Sequence, residues 1–164
     1  MKKITVIFLT GLLFSCSQQT PIKPTASANT DSLSAQLQDL KEKYRPGLGE
    51  IMGGIQTLHA KLWFAGINAN WKLADYEIKE IKERLVEAVE VETNRSEVKT
   101  ISMIYPSIDG VSDAIKNQNI QTFKESFQLL TNTCNSCHSA VNFGYNVITI
   151  PTVPPVTNQD FKVK

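Results

Sequence analysis

The sequence predicts an all-α fold, an antiparallel four-helix bundle at residues 32–143 with an N-terminal helical lead-in and an extended C-terminal tail at 144–164. Apolar residues recur at three- and four-residue steps through most of the bundle region, which places them on one face of a helix. The connections between these stretches are short, and short connections favour antiparallel neighbours. The roughly 130 residues from the lead-in onward suit a single domain.

A lead-in helix is predicted first, from an apolar stripe at Leu33, Leu37, Leu40 and Tyr44. It should end or kink at Pro46, since proline disfavours helical geometry at the residue before it. We therefore expect the first bundle helix to begin after this proline.

Four longer helices are predicted at about 47–67, 70–92, 97–117 and 119–142. Pro106 lies inside the third of them, where it predicts a kink or a break. Each helix is defined by an apolar stripe. The stripes are Leu48, Ile51, Ile55, Leu58 and Leu62; Trp71, Ile78, Ile81, Leu85 and Val89; Ile101, Ile104, Ile108, Val111 and Ile115; and Ile120, Phe123, Phe127, Leu130, Cys134 and Val141.

The most specific motif is the pentad Cys134-Asn135-Ser136-Cys137-His138. The spacing Cys-x-x-Cys-His is typical of a c-type haem attachment site. In such a site each thiol adds across one haem vinyl group, and the adjacent imidazole ligates the iron. Because the two cysteines and the histidine lie at i, i+3 and i+4, a helix projects all three from the side that faces the core. We therefore predict one covalent haem c between the helices, with His138 as the proximal iron ligand.

Three other interpretations of the pentad explain less of it. A thioredoxin-type redox pair also uses Cys-x-x-Cys, but it expects a βαβ context, and the periodicity around Cys134 is helical. A zinc site would lack a second ligand pair nearby, since the remaining donors of those types are His59 and Cys16. Two core cysteines beside a histidine would leave the spacing without a use.

The N-terminal segment predicts export. Two lysines precede an apolar stretch of signal-peptide length. The sequence Leu13-Phe14-Ser15-Cys16 resembles a bacterial lipobox, which implies a lipoprotein signal peptide at 1–15 and lipidation of Cys16. An ordinary signal peptide, or a short membrane anchor that is never cut, would export the chain as well. The apolar stretch is too short to be a good transmembrane helix.

Residues 16–31 predict a flexible tether between lipid and domain. They are rich in Ser, Gln, Thr, Pro, Ala and Asn, with too little apolar surface to order themselves. Cysteine usage agrees with this organisation, because lipid takes one cysteine and haem takes two. Since c-type haem is attached after export, both motifs predict a membrane-anchored lipoprotein that faces the periplasm.

Charge excludes one class of partner. The chain has 17 basic and 16 acidic residues, and residues 1–15 contain two lysines and no acid, so the mature chain has 15 basic and 16 acidic residues, a net charge of −1. It has no basic patch, and we expect no nucleic-acid partner. A redox partner protein would have to recognise a local patch, because weak net charge gives little steering.

A pentad near the end of the last helix of such a bundle resembles the cytochrome c′ family. The matching residues are Cys134, Cys137 and His138, and the upstream spacing Phe123-Lys124-x-x-Phe127 is also similar. The resemblance covers most of residues 44–143. It implies a bundle whose first helix supplies the residue opposite the iron, and it is compatible with a homodimer.

The tail departs from the pattern of that family. Members often end soon after the haem helix, whereas here Phe143 is followed by Gly144 and a tail that runs to Lys164. The tail is apolar and contains three prolines, so we expect it not to be helical.

The residue opposite the iron is expected between Leu48 and Ile55, because the start of the first helix of an antiparallel bundle lies beside the end of the last. Met52 is the good ligand in this stretch, and a thioether opposite His138 would favour electron transfer. Met52 would otherwise pack against the ring. His59, two turns farther along, is a second candidate ligand, whose alternative role is a hydrogen-bonded core residue or a donor to a propionate.

These observations predict a c-type cytochrome that transfers electrons in the periplasm or at a membrane surface. The alternative is a five-coordinate binder or scavenger of small gases such as NO and CO, with a distal pocket lined by Leu48, Ile51 and Met52. No Arg/His pair at a readable spacing suggests peroxide chemistry, so we do not expect an enzyme. Glycines near the distal face would leave room for a ligand or allow close helix packing; they are Gly47, Gly49, Gly53 and Gly54.

Overall fold

The chain is all-α, as the sequence predicts. The computed structural model describes residues 26–163, and no strand occurs within that range. The predicted signal peptide at 1–15 and the lipidation site Cys16 lie outside the described residues. None of the described helices is both long and apolar enough to cross a membrane. The helices are α1 (Ala26–Tyr44), α2 (Leu48–Ile67), α3 (Trp71–Val91), a 3₁₀ helix (Ser96–Ile104), α4 (Tyr105–Lys116) and α5 (Ile120–Ala140).

Helix α1 begins earlier than the sequence predicts. It starts at Ala26, so residues 26–31, which the sequence assigns to the tether, are helical. The remainder of the tether, 16–25, lies outside the described residues. Four of these six residues are Ser, Asn, Thr or Asp, which are weak helix formers, so intrinsic propensity does not explain the early start. The predicted tether rests on the low apolar content of this stretch, and low apolar content does not distinguish an exposed helix from an irregular chain.

The described part of the chain divides into two units, with the boundary between Lys43 and Tyr44. In the first unit, the predicted stripe of α1 is well exposed, with Leu33, Leu37 and Leu40 at 66%, 52% and 50% of their accessible surface. The second unit contains α2 to α5, the 3₁₀ helix and the tail, together with every residue of the predicted haem site.

The core of the second unit lies between its helices. Helix α2 packs along α3, α3 against α4, α4 along α5 and α5 against α2, while the 3₁₀ helix contacts α3, α4 and α5. Most side chains of the predicted stripes are buried there, but Val89 and Ile120 are exposed because each lies in the terminal turn of its helix. The largest fully buried apolar side chains are Ile51, Leu62, Ile78, Leu85, Ile101, Ile108, Phe123, Phe127 and Leu130.

The third predicted helix, 97–117, is divided in two. Ser96–Ile104 forms a 3₁₀ helix, and α4 begins at Tyr105. Pro106 therefore lies in the first turn of α4, where its missing N–H removes no hydrogen bond of the helix. The break predicted from Pro106 is confirmed, and it takes the form of a change in helix type.

Helices α2, α4 and α5 are each followed by a residue with left-handed backbone that is not glycine. Ala69, Gln118 and Asn142 have φ of 56°, 51° and 62°. Each begins a Schellman motif, in which the next residue's N–H bonds back to a carbonyl five positions earlier. After α5 this bond runs from Phe143 N–H to the His138 carbonyl oxygen, at 2.7 Å. The motif turns the chain sharply, so the tail starts beside the last turn of α5.

Gly66 allows close contact between α2 and α5. A Cβ added at this position would overlap the ring of Phe123, which is fully buried. That ring also lies 6.3 Å from the ring of Trp63 and 6.2 Å from that of Trp71. The aromatic cluster therefore occupies the space that a side chain at Gly66 would need.

The tail is not helical, yet it packs onto the domain. Phe161 is only 5% exposed, and its ring centre lies 5.7 Å from that of Phe64 in α2. The amide of Asn70 donates to the Phe161 carbonyl oxygen at 3.4 Å. Ile150 and Val156 pack against the core. The tail is therefore part of the folded unit.

Candidate functional site

A cavity of about 370 Å³ lies between the start of α2 and the end of α5. Met52, His59, Cys134, Cys137 and His138 all line it. The fold thus brings the pentad together with both candidate ligands from α2. Much of the remaining wall is apolar and includes Leu48, Ile81, Leu85, Ile101, Ile104 and Leu130.

The α2 wall of the cavity is open because it carries glycines. Gly49 and Gly53 line the cavity, and a Cβ added at either would have no atom within 4 Å. A Cβ added at Gly47 or Gly54 would likewise have no atom within 4 Å, although neither residue lines the cavity. These glycines therefore leave room, whereas close helix packing occurs at Gly66.

Met52 is partly buried, lines the cavity and packs against the core. Leu48, about one turn earlier, also lines the cavity. Ile51, which the sequence assigns to the same pocket, is buried in the core and is absent from the cavity wall. A step of one residue rotates a side chain by about 100° around a helix, which carries Ile51 to the neighbouring face. The prediction for Ile51 is therefore wrong.

Cys134 and Cys137 are free thiols on the cavity wall. Burial, with a smaller effect of the neighbouring Cys137, raises the pKa of Cys134 to about 11, so this thiol is protonated at neutral pH. The Cys137 sulfur lies 3.1 Å from the Thr100 hydroxyl oxygen. Thr100 donates its own proton to the Glu97 carbonyl oxygen at 2.7 Å. The Thr100 oxygen is therefore left as an acceptor for the Cys137 thiol.

The tail orients the His138 ring. Its Nδ1 atom lies 2.6 Å from the backbone carbonyl oxygen of Asn146. A carbonyl oxygen only accepts, so Nδ1 carries a proton and Nε2 is the nitrogen that can offer a lone pair. Metal-ligating histidines usually donate their second ring N–H in this way. His138 therefore has the tautomer needed to ligate a metal through Nε2.

His59 has the opposite arrangement. Its Nε2 lies 2.9 Å from the hydroxyl oxygen of Thr131, which donates its own proton to the Phe127 carbonyl oxygen at 2.9 Å. The Thr131 oxygen therefore accepts from Nε2–H. Burial lowers the pKa of His59 to about 4, so the ring is neutral at neutral pH. His59 is thus a hydrogen-bonded core residue, the alternative role expected from the sequence.

A charged pair on the cavity wall was not identified from the sequence. Arg95 Nη2 and Glu97 Oε1 are 2.7 Å apart, and both residues line the cavity. The hydrogen bond from Arg95 is the main cause that lowers the pKa of Glu97 to about 2. The pair lies where a short connection enters the 3₁₀ helix, and no periodicity or motif there separates it from other surface charges.

Within residues 26–163, no group of three or more His, Cys, Asp or Glu side chains is placed to hold a metal ion by itself. A haem iron needs no such group, because the porphyrin supplies its equatorial ligands and the protein only the axial ones. No protein-family model, no curated protein and no solved structure matches this chain.

Proposed function

We propose that this protein is a c-type cytochrome with one covalent haem, which transfers electrons in the periplasm or at a membrane surface. The observation that carries the proposal is that both cysteines and the histidine of the pentad line one largely apolar cavity. The proposed architecture is an antiparallel four-helix bundle of the cytochrome c′ type. The closed ring of contacts from α2 through α3, α4 and α5 back to α2 supports it.

The residues on the cavity wall fit a haem. The volume of about 370 Å³ lies within the range of roughly 300–1,000 Å³ usual for ligand and cofactor sites. Cys134 and Cys137 would hold the ring through thioether bonds, and His138 would be the proximal iron ligand. When bound, the haem supplies one-electron chemistry at its iron.

The other cavity residues act on the surroundings of the ring. Leucine and isoleucine side chains exclude water and lower the local dielectric constant. Arg95, which now pairs with Glu97, would offer a cation to the propionate carboxylates of a bound haem. Met52 is the proposed distal ligand, since a thioether opposite histidine raises the potential and suits an electron carrier.

A second candidate function is reversible binding of small gases such as NO and CO at a five-coordinate iron. The open space around Gly49 and Gly53, next to Met52, favours it. The commitment of His59 Nε2 to Thr131 also favours it, because that nitrogen is occupied. The two functions differ in whether Met52 ligates the iron.

Covalent attachment is tested on protein exported from a host that attaches haem c. In the wild type, haem should stay on the denatured chain after extraction with acid solvent, seen as added mass. Cys134→Ala or Cys137→Ala should weaken or abolish this attachment. Ser136→Ala is a matched control, since Ser136 is exposed within the same pentad. Complete release of haem from the wild type would contradict the proposal.

The distal ligand is tested with Met52→Ala. If Met52 ligates the iron, the reduced wild type is low-spin and binds CO slowly, and the variant becomes high-spin, binds CO quickly and has a lower potential. If the wild type is already high-spin and the variant is unchanged, Met52 only packs and the gas-binding function is favoured. A low-spin spectrum that is lost only in a His59 variant would assign the ligand to His59.

Membrane anchoring through Cys16 is part of the proposal and predicts that the wild type is recovered in the detergent-soluble membrane fraction. Lipoprotein acyl chains anchor firmly where a single chain is marginal. Cys16→Ser should release the protein and leave its covalent haem intact. Recovery of the wild type entirely from the soluble periplasmic fraction would exclude the anchor.

A further inference from the structure

We propose that tail residues 146–148 position the proximal histidine, and that Asn135 of the pentad anchors them. This inference rests on the proposed function, because it assigns His138 to the iron. The sequence spacing assigns no role to Asn135, which occupies a variable position of the motif. The contacts of its side chain indicate one.

Asn135 binds the tail through two hydrogen bonds to the backbone of Ile148. Its Nδ2 donates to the Ile148 carbonyl oxygen at 2.8 Å, and its Oδ1 accepts from the Ile148 N–H, also at 2.8 Å. The amide thus replaces the partner that a neighbouring strand would supply to both polar groups of Ile148. A single side chain that satisfies a donor and an acceptor of the same residue fixes the position of that backbone and its direction.

The anchor and the histidine are on the same face of α5. Asn135 and His138 are three residues apart, so their side chains are neighbours on the helix surface. Asn135 bonds to Ile148, and His138 bonds to Asn146, two residues earlier in the tail. The two contacts therefore place one short run of tail backbone alongside the last turns of α5.

The turn after α5 completes the arrangement. Asn142 has the left-handed conformation that reverses the chain, and the Asn146 N–H bonds to the Phe143 carbonyl oxygen at 2.9 Å. Ile148 itself lines the cavity, and Ile150 packs against the core. The carbonyl that faces His138 is thus held from both sides along the chain.

The chemical effect is on Nε2 of His138. A carbonyl that accepts from Nδ1–H fixes the tautomer and the ring plane, and it increases the electron density that Nε2 donates. Stronger donation from the axial imidazole stabilises ferric over ferrous iron. Asn135 is therefore a positioning residue that acts on the potential through the tail and His138.

The test compares Asn135→Ala with Asn132→Ala in the covalent haem protein. Asn132 is an exposed asparagine about one turn earlier on the same helix, and it is the matched control. We expect Asn135→Ala to keep covalent haem, to raise the midpoint potential, and to speed exchange of the His138 Nδ1 proton with solvent by roughly fivefold or more, the factor associated with one hydrogen bond. Asn132→Ala should change neither quantity.

Asn135→Asp is a second variant. Aspartate has nearly the size and shape of asparagine, so this variant separates the loss of a hydrogen bond from a general loss of packing. It keeps the acceptor for the Ile148 N–H and loses the donor, so the increase in the rate of proton exchange should be smaller than in Asn135→Ala. The potential is not compared for this variant, because the carboxylate charge would itself lower it. If Asn135→Ala keeps its haem and shows an unchanged potential and unchanged proton exchange, the positioning role of the tail is overturned. The proposed function would not be affected by that result. Absence of covalent haem from the wild type would overturn the proposed function, and with it this assignment.

Discussion

His138 and His59, the two histidines of the chain, line the same cavity but commit opposite ring nitrogens. His138 uses Nδ1 to bond the Asn146 carbonyl, and His59 uses Nε2 to bond Thr131. The first leaves free the nitrogen that usually binds haem iron, and the second does not. Residue type alone therefore does not distinguish the two histidines as candidate ligands, whereas the hydrogen-bond partner of each ring does.

The two helices that carry these histidines also differ, because one wall of the cavity is fixed by hydrogen bonds and the other is open. The end of α5 is tied to the tail by side-chain hydrogen bonds from Asn135 and His138. The start of α2 carries Gly49 and Gly53, whose surroundings are open. If the proposed haem binds here, His138 would be held rigidly on one side of it and the opposite side would be accessible, which would suit either a flexible methionine ligand or a small gas.

The strongest way to break the comparison is to remove each histidine in turn. Under the proposed function, His138→Ala should lose the proximal ligand and change the absorption spectrum and the potential drastically. His59→Phe should keep the spectral type and lose only about 1 kcal/mol of stability, because the hydrogen bond to Thr131 is removed. Absorption spectra and denaturant unfolding measure both. A spectrum that depends on His59 and not on His138 would reverse the assignment.

The next largest effect is expected from the glycines of α2. Gly66→Ala should destabilise the fold by about 1–3 kcal/mol, because the methyl group would overlap the Phe123 ring in a packed core. Gly54→Ala, in the same helix with no atom nearby, should stabilise it by about 0.5–1 kcal/mol. Urea unfolding of the two variants gives these values. Equal effects would show that the open and the packed parts of α2 do not differ.

Glu77 is a buried titratable group on α3, outside both histidine sites. Within the described residues neither carboxylate oxygen has a hydrogen-bond partner, and the nearest cation, Lys61 Nζ, is 4.0 Å away. Burial is the main cause that raises the pKa of Glu77 above its ordinary value of 4.5. The folded state then binds more protons than the unfolded state, so stability falls as pH rises from that ordinary value through the folded pKa.

Glu77→Gln removes this charge and should stabilise the protein by roughly 1 kcal/mol at pH 8. The advantage should shrink as pH falls toward 4.5, the ordinary carboxyl value. Glu83→Gln, an exposed residue on the same helix, is the control and should show no such trend. Thermal unfolding measured across this pH range decides the matter, and a constant difference between wild type and Glu77→Gln would contradict the buried-charge explanation.

The smallest effect concerns the turns that end α2 and α5. Ala69 and Asn142 both have left-handed backbone. Ala69→Gly should stabilise the fold by roughly 0.5–1 kcal/mol, since alanine is strained there and glycine is not. Asn142→Gly should be close to neutral, because asparagine tolerates this conformation. Chemical denaturation would detect the difference between the two, and an equal gain would mean that the turns are equally strained.

The helices of the second unit follow closely from the sequence, because apolar spacing reports directly which face of a helix is buried. Helix type does not follow in the same way. Ile101 and Ile104 continue a helical stripe, yet they belong to a 3₁₀ helix whose three-residue turn also brings them to one side. Ile51 shows a second limit, since residues adjacent on a stripe can face the core or the cavity.

The residues of the candidate site likewise fall into two groups, those that the sequence predicts and those that only the structure reveals. Met52, His59 and the pentad were found from the sequence because ligand types and helix ends are visible in it. Thr131 and Asn146, which decide the tautomers of the two histidines, were not found. Their roles depend on contacts between distant segments, and neither residue belongs to a motif. Phe161 is a similar case, because nothing in the tail's spacing shows that its ring is buried.

The packing of the tail also bears on the order in which the structure forms. Asn70 and Phe161 are 91 residues apart in sequence, yet they are hydrogen-bonded. Helices form from local contacts, whereas a contact of this separation must close a long loop and therefore forms late. The Asn146 carbonyl, by contrast, is only eight residues from His138 in sequence, so the contact that orients the histidine can form together with the turn after α5. Folding kinetics should accordingly show helix formation before the aromatic contact at Phe161.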